Sequence, residues 1–128
     1  MSGTWFEEAT SGQGLQFTIQ PGGSFFAPWF TYDPQGQGND PNREHWFTLQ
    51  GNLATAQNGR ADVLITQSLG GVFDRVPTYN GFAVGKATVT MTACDKSRVD
   101  YRFDDNELAG AYRGKRGALE LTKIGGCQ

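Results

Sequence analysis

The sequence predicts an all-β fold, a closed antiparallel up-and-down barrel of about eight strands. Its 128 residues include 18 glycines, three Trp, four Tyr and nine Phe, while only 19% of the residues are charged. Glycine is typical of tight turns and aromatic side chains are typical of strands. Apolar and polar residues also alternate along short segments that turn residues separate. A chain of this length forms one domain, so residues 1–128 are assigned to a single barrel.

Four strands are predicted in the first half of the chain. Leu15 and Phe17 alternate with polar residues, so their segment has one dry and one wet face. The most apolar segment contains Pro28, which cannot donate a backbone hydrogen bond, and we expect an edge position or a bulge there. The four predicted strands are Thr4–Glu8, Leu15–Gln20, Ser24–Tyr32 and Glu44–Gln50.

The second half repeats this pattern after a hairpin signal at Asn58-Gly59. Ala87 and Val89 alternate with threonines in the cleanest strand of the chain, and Gly70–Gly81 is expected to be a loop. Because almost every connection is short, successive strands should pair as hairpins and close into a barrel. The predicted strands are Ala61–Ser68, Ala87–Ala93, Val99–Phe103, Leu108–Tyr112 and Gly117–Ile124.

Charge and composition argue against several classes of function. The net charge is -2, whereas a nucleic-acid-binding groove needs a basic surface, so no nucleic-acid partner is expected. The chain has no apolar run long enough to span a bilayer, so no membrane insertion is expected. A single histidine, His45, excludes multi-histidine metal sites and most histidine-based catalysis.

The two cysteines leave two interpretations open. Cys94 ends a predicted strand, and Cys127 is one residue from the end of the chain. They are either unrelated thiols or a pair that closes a loop of about 34 residues, which would stabilise the fold by roughly 4 kcal/mol. A disulfide would indicate an oxidising compartment. Met1 runs directly into the first strand without a signal peptide, so we expect a segment of a longer exported protein, with a cytosolic protein as the alternative.

The two ends of the predicted barrel resemble the calycin superfamily, which includes lipocalins, fatty-acid-binding proteins and avidins. Gly3-Thr4-Trp5 opens the first strand, and Lys123 lies on the last. In calycins a Gly-x-Trp on the first strand packs under a basic residue of the last strand. The resemblance implies that Trp5 and Lys123 form a structural pair, in which a cation over an indole gains roughly 0.5–2 kcal/mol. The ligand residues of avidins are not identifiable by motif, so biotin binding is not implied.

A second resemblance covers almost the whole chain. The order and spacing of its short motifs resemble an uncharacterised domain that is common in exported proteobacterial proteins. The resemblance implies an extracellular or periplasmic location and a Cys94–Cys127 disulfide, but no established activity. The loop after Asp33 is longer here than the tight turn of that family. The motifs are Gly3–Trp5, Ser11–Gly14, Trp29–Asp33, Trp46, Thr88–Cys94, Tyr101, Leu121–Lys123 and Cys127.

Aromatic residues are the best candidates for a binding site. They exceed what one small core requires, and several flank the long polar loop after Asp33. Exposed Trp and Tyr beside polar residues suit sugar rings or a small apolar ligand, whereas core filling is the alternative for any single ring. We predict a site at one end of the barrel in which three rings stack on the ligand and three polar side chains orient it. The stacking residues are Trp29, Tyr32 and Trp46, and the orienting residues are Asp33, Arg43 and His45.

No catalytic residue, metal or cofactor is predicted. The loop Asp33–Glu44 matches a calcium-loop register at its ends, but Gln35, Gln37 and Pro41 occupy positions that normally provide ligands. Catalysis by His45 would require an acid and a nucleophile to converge on it. The acidic residues lie mostly beside turns or on the polar faces of strands, as in any acidic β-protein.

The predicted function is a non-catalytic exported binding or accessory module for a small ligand or glycan. One alternative is a protein-interaction or inhibitor module, and another is a small hydrolase. A pocket binder should contain a void lined by the aromatic side chains. An interaction module should have a filled barrel and a flat aromatic patch, and a hydrolase should bring His45 within hydrogen-bond reach of an acid and a nucleophile.

Overall fold

The computed structural model describes residues 1–34, 44–69, 73–75 and 80–127. Within these ranges eight strands form one closed antiparallel barrel, in which each strand pairs with its neighbours in the chain and the first pairs with the last. This confirms the predicted architecture, and β3 has the predicted bounds. The strands are β1 (Gly3–Phe6), β2 (Gly14–Ile19), β3 (Ser24–Tyr32), β4 (Glu44–Asn52), β5 (Arg60–Leu69), β6 (Asn80–Ala93), β7 (Lys96–Phe103) and β8 (Arg116–Lys123).

The strand β6 begins earlier than predicted, at Asn80 rather than Ala87. Its pairing with β5 shifts register between Ile65 and Thr66, where Val84 has no partner of its own. This is the geometry of a β-bulge, in which an extra residue breaks the alternation of side chains. Because Val84 and Gly85 are both buried, the start of β6 lacks the period-two pattern by which strands are recognised.

The predicted strand Leu108–Tyr112 is wrong, because this segment belongs to a 3-10 helix at Glu107–Tyr112. The Asn106 side chain caps the helix by accepting a hydrogen bond from the Ala109 N–H at 3.3 Å. Ala109 and Tyr112 are buried against the core, so the segment covers one end of the barrel. Shorter 3-10 helices of the described residues lie at Glu8–Thr10 and Leu53–Thr55.

Pro28 was expected at an edge or a bulge, and neither is observed. It pairs with Thr48 in an unbroken β3–β4 ladder, and a closed barrel has no edge. The recorded pairs with β2 lie on either side of it, at Leu15–Trp29 and Thr18–Phe26. Proline has no N–H to donate, and β3 accommodates it by a gap in its pairing with β2. The strand itself does not bulge at this position.

The inward-facing side chains form one continuous cluster that fills the barrel. In one aromatic group, the ring of Phe17 lies 5.2 Å from both Trp5 and Phe25. In a second group, the ring of Phe47 lies 5.5 Å from Trp29 and 5.1 Å from Phe103. Aromatic pairs at such distances stabilise a core beyond their buried area.

The barrel closes where the first and last strands meet. Trp5 pairs directly with Lys123 across β1 and β8, so the two residues are neighbours, and the packing of the cation over the indole stays a prediction. The indole of Trp5 is fully buried. Gly3 adopts a φ of 138°, and a Cβ atom there would lie 2.9 Å from Cε of Lys123, so the glycine makes room for the lysine chain.

Cys94 directly follows β6 and forms a disulfide with Cys127, with a Cα–Cα distance of 5.3 Å. This agrees with the predicted pairing. Disulfides are typical of proteins outside the cytoplasm. Among the described residues there is no helix of the length and apolar character needed to cross a membrane.

Candidate functional site

The outer face of β3 carries three exposed aromatic side chains. Residues of a strand point alternately to the two sides of the sheet, and on β3 one set fills the barrel while the other meets solvent. Phe26 is 42% exposed, Phe30 53% and Tyr32 38%. An aromatic row of this kind on the outside of a sheet is unusual, because outward positions of an antiparallel barrel are normally polar.

Trp46 extends this row onto β4. It pairs directly with Phe30 in the β3–β4 ladder and is 52% exposed. Directly opposed residues have Cβ atoms about 5 Å apart, so the two rings are neighbours. We refer to Phe26, Phe30, Tyr32 and Trp46 as the outer aromatic face.

The surrounding backbone fixes the position of Tyr32 within this face. Its phenol oxygen lies over Gly12, where a Cβ atom would come within 2.6 Å of it. Its carbonyl oxygen accepts a hydrogen bond of 2.8 Å from the Tyr112 hydroxyl. The side chain and the backbone of Tyr32 are thus both held by neighbouring segments, so this end of the face is ordered in advance of any ligand.

Two shallow grooves meet at Phe30. One, of about 440 Å³, runs beside Tyr32, Glu44 and Trp46. The other, of about 350 Å³, lies over Gly14 between Phe6 and Phe30. Gly14 lines this second groove, and a Cβ atom at that position would lie 2.8 Å from the Trp5 carbonyl oxygen. The outer aromatic face is therefore a broad surface with shallow depressions rather than a deep pocket.

Trp29 was predicted to stack on a ligand, and the structure corrects this. It occupies the inward parity of β3 and is only 3% exposed. Its indole N–H donates to the Gln13 side-chain oxygen at 3.0 Å, and the same oxygen accepts from the Thr31 hydroxyl at 2.6 Å. The indole face packs on the second aromatic group of the core. Trp29 therefore belongs to the interior, whereas Tyr32 and Trp46 lie on the outer face.

His45 lies at the boundary between the interior and the covered barrel end. Its ring centroid is 4.6 Å from Phe47 and 5.2 Å from Tyr112. Burial lowers the pKa of His45, while the Gln67 side chain and the Asp33 charge act in the opposite direction. Its buried Nε2 atom has no hydrogen-bond partner within the described part of the chain. Burial also raises the pKa of Tyr112, and the Asp33 charge adds to that shift.

The other predicted orienting residues are placed only in part. Asp33 directly follows β3, and its charge acts on both His45 and Tyr112. Arg43 lies outside the described residues, as does most of the loop that superficially matched a calcium register. His45 and Asp33 thus approach the ring of Tyr112, while Tyr32 and Trp46 project on the outside of the same strand ends.

Comparison with known proteins assigns no family to the chain: no protein-family model, curated protein or solved structure matches it. Both the calycin resemblance and the resemblance to the exported domain therefore stay predictions. The barrel itself does not depend on them, because it follows from the strand pairing.

The described residues contain one close group of metal-ligating residue types, Cys94, Asp95 and Cys127. Both sulfur atoms are in the disulfide, whereas a thiolate is the form that binds metals. This group is accordingly a disulfide beside a carboxylate rather than a metal site.

Sequence reasoning missed Phe26 and Phe30, which make up half of the outer aromatic face. The signal was present, because both share the parity of Tyr32 along β3. Trp29 has the opposite parity and was grouped with Tyr32 by residue type alone. Alternation along the strand would have separated the two sets.

Proposed function

We propose that this domain is a non-catalytic binding module that holds a glycan chain against its outer aromatic face. The observation that carries the proposal is the direct pairing of Phe30 with Trp46 across β3 and β4, with each side chain more than half exposed, at 53% and 52%. Exposed aromatic clusters on a soluble domain mark interaction sites, because their exposure is otherwise unfavourable.

The chemistry of the rings suits a sugar. An aromatic ring has a negative face, which attracts the weakly positive C–H groups on the flat side of a pyranose. The β3–β4 ladder is continuous from Ser24–Asn52 to Tyr32–Glu44, so the rings stand on a rigid platform. A rigid platform loses little conformational entropy on binding.

Polar side chains border the rings and supply hydrogen bonds for hydroxyl groups. Thr18 and Gln50 pair with Phe26 on its two sides, and Glu44 pairs with Tyr32. Gln50 and Glu44 are both exposed. Apolar faces with polar edges match a polysaccharide, whose sugar rings have apolar faces and hydroxyl rims.

The buried core cluster occupies the inside of the barrel, contrary to the void expected of a pocket binder, and this supports a surface site over an internal one. The inward side chains form a continuous buried cluster, and both grooves beside the outer aromatic face open to solvent. A chain-like ligand that lies across the surface is therefore favoured over a small molecule enclosed by the strands.

The test is native affinity electrophoresis through gels that contain xylan, mannan, β-1,3-glucan or hydroxyethyl cellulose. We expect at least one of these neutral polysaccharides to retard the protein. Trp46→Ala and Phe30→Ala should each weaken binding by about tenfold or more, as expected for a central aromatic contact.

The matched control is Leu64→Ala, which truncates an apolar side chain of comparable exposure, 46%, on the neighbouring strand β5. It should bind like the unchanged protein. Absence of retardation in all four gels, or an equal loss in Leu64→Ala, would contradict the proposal.

A protein partner is the second candidate, and two observations favour it. A filled barrel with a flat aromatic patch is the arrangement expected of an interaction module, and the groove over Gly14 is lined by the apolar side chains of Phe6, Phe30 and Ile124. If the partner is a second copy of this chain, sedimentation equilibrium should reveal a dimer that Phe30→Asp dissociates. A monomer at all concentrations would exclude such self-association.

We infer in addition that the domain works outside the cytoplasm, in the periplasm or in the extracellular space. The Cys94–Cys127 disulfide supports this location. Glycans of the cell surface and of the surroundings are accessible there, which is consistent with the proposed ligand.

A further inference from the structure

A row of three cationic side chains crosses the outer surface on the other side of the barrel. Lys86 on β6 pairs directly with Arg102 on β7, and Arg102 pairs directly with Arg116 on β8. All three residues are exposed. Neighbouring strands lie about 5 Å apart, so the row places three positive charges within about 10 Å.

This arrangement is unfavourable for the fold itself. Like charges directly opposite each other in a sheet are destabilising. Lys86, Arg102 and Arg116 form no ion pair with any of the described residues. Violations of such local rules are expected mainly at functional sites.

The nearest carboxylates are already engaged elsewhere. Asp100 accepts from Arg98 at 3.0 Å, and Arg98 also pairs with Glu120 at 2.6 Å. Asp62 accepts a hydrogen bond of 2.8 Å from the Thr88 hydroxyl. Asp62 and Asp100 line the same groove, but among the described residues neither forms an ion pair with Lys86, Arg102 or Arg116.

A groove of about 900 Å³ runs along this row, and all three cations line it. Leu64, which is 46% exposed, continues the row onto β5 next to Lys86. Ala118 on β8 leaves the floor low, because its side chain is small. The groove thus combines a line of cations with an apolar end.

We propose that this cationic row is a second binding site, and that it takes an acidic polysaccharide. Successive sugar units of such a chain carry carboxylate or sulfate groups that would face successive cations of the row. Arginine binds both groups well, because its planar guanidinium forms paired, charge-assisted hydrogen bonds. This inference does not depend on the outer aromatic face.

Other anionic partners fit less well. Single-stranded nucleic acids use exposed aromatic side chains as stacking platforms, whereas the aromatic residue that lines this groove, Tyr101, is half-buried and packs against Trp29 at 5.3 Å. Extended peptides bind by adding a strand to a sheet edge, which a closed barrel does not provide. Anionic membranes attract larger clusters, of about four to eight cations.

The test measures binding to polygalacturonate, which carries carboxylates, and to heparin, which carries sulfates, with neutral galactan as the uncharged reference. We expect binding to at least one acidic chain, weaker binding as salt rises, and none to galactan. Arg102→Gln should reduce the affinity about tenfold or more, because a charge-assisted contact is lost at the centre of the row.

Lys96→Gln is the matched control. It removes one exposed positive charge from the same face of β7, at about 20 Å from Arg102 by strand rise. It should bind almost like the unchanged protein, and Trp46→Ala should also leave this binding intact. Failure of the outer aromatic face to bind neutral glycans would leave these expectations unchanged.

Three outcomes would overturn the inference. The first is that neither acidic polysaccharide binds. The second is that Arg102→Gln loses no more affinity than Lys96→Gln. The third is that an oligothymidylate or a polyglutamate of similar charge binds more tightly than both polysaccharides, which would assign the row to another class of polyanion.

Discussion

Alternate residues of the strand Ser24–Tyr32 have opposite environments although they are of the same types. Phe25 and Trp29 point into the barrel and are 1% and 3% exposed, whereas Phe26 and Phe30 point outward and are 42% and 53% exposed. The inward rings pack against other rings of the core, while Phe30 borders two open grooves. Position along the strand, and not residue type, separates the core from the candidate binding surface.

The two sets also differ in what holds them in place. A fully buried aromatic side chain removes a large apolar area from water and dominates the stability of a core. A ring that is half exposed contributes much less to folding. The inner rings of β3 are therefore accounted for by their contribution to the stability of the barrel. The outer rings are not, and we attribute them to ligand binding.

The largest expected effect is the loss of stability when a ring of the inner set is removed. Trp29→Ala should lower the free energy of unfolding by about 3–5 kcal/mol, because it removes a buried ring and leaves a cavity. Phe30→Ala, the next residue, should lower it by only about 1 kcal/mol or less, as for an exposed position. Urea denaturation of both variants measures the contrast, and equal losses would show that the inside–outside distinction is wrong.

A smaller effect is expected from His45, which lies between the inner and outer sets: its burial should make the stability of the fold depend on pH. Burial lowers its pKa in the folded state, so the unfolded chain binds a proton more readily once the pH falls below the ordinary value of about 6.5. The contribution of His45 to stability should therefore be present at neutral pH and decline as the pH falls. The Gln67 side chain and the Asp33 charge oppose the shift and limit its size.

The comparison of the unchanged protein with His45→Gln isolates this effect from the titration of the carboxylates. The free energy of unfolding is measured in urea at pH 7.5 and at pH 5. Between these two values, the unchanged protein should lose more stability than His45→Gln. A difference that is constant, or that moves the other way, would mean that His45 is solvated like a surface histidine.

The fold could be predicted largely from the sequence because a barrel of short hairpins follows the period-two pattern closely. The segment Ala87–Ala93 shows this pattern without interruption. The pattern does not predict the bulge at Val84, where two buried residues follow each other. It also does not predict the 3-10 segment over Leu108–Tyr112, which Asn106 caps and Gly110 interrupts. The alternation of apolar and polar residues along the sequence predicts neither a bulge nor a short 3-10 segment.

The candidate sites were less predictable, for two physical reasons. The exposure of Tyr32 and Trp46 agrees with their prediction as surface residues near a polar loop, but residue type alone does not distinguish them from the buried Trp29. The row of Lys86, Arg102 and Arg116 was not found, because it exists only in the register of three strands. Register depends on packing and turn geometry that local patterns do not determine.

The three tryptophans allow the most direct test of the central claim, that ligand binds to the outer aromatic face and not inside the barrel. The indole N–H of Trp5 donates to the Met1 carbonyl at 2.9 Å and that of Trp29 to the Gln13 side chain, both within the fold, whereas Trp46 is 52% exposed. The measurement is an NMR titration of the three indole N–H signals, assigned by Trp46→Phe and Trp29→Phe, with the polysaccharide that gives the strongest retardation. We predict that the Trp46 signal moves while the signals of Trp5 and Trp29 stay in place. Movement of the Trp29 signal with Trp46 unchanged would contradict the account and place the ligand inside the barrel.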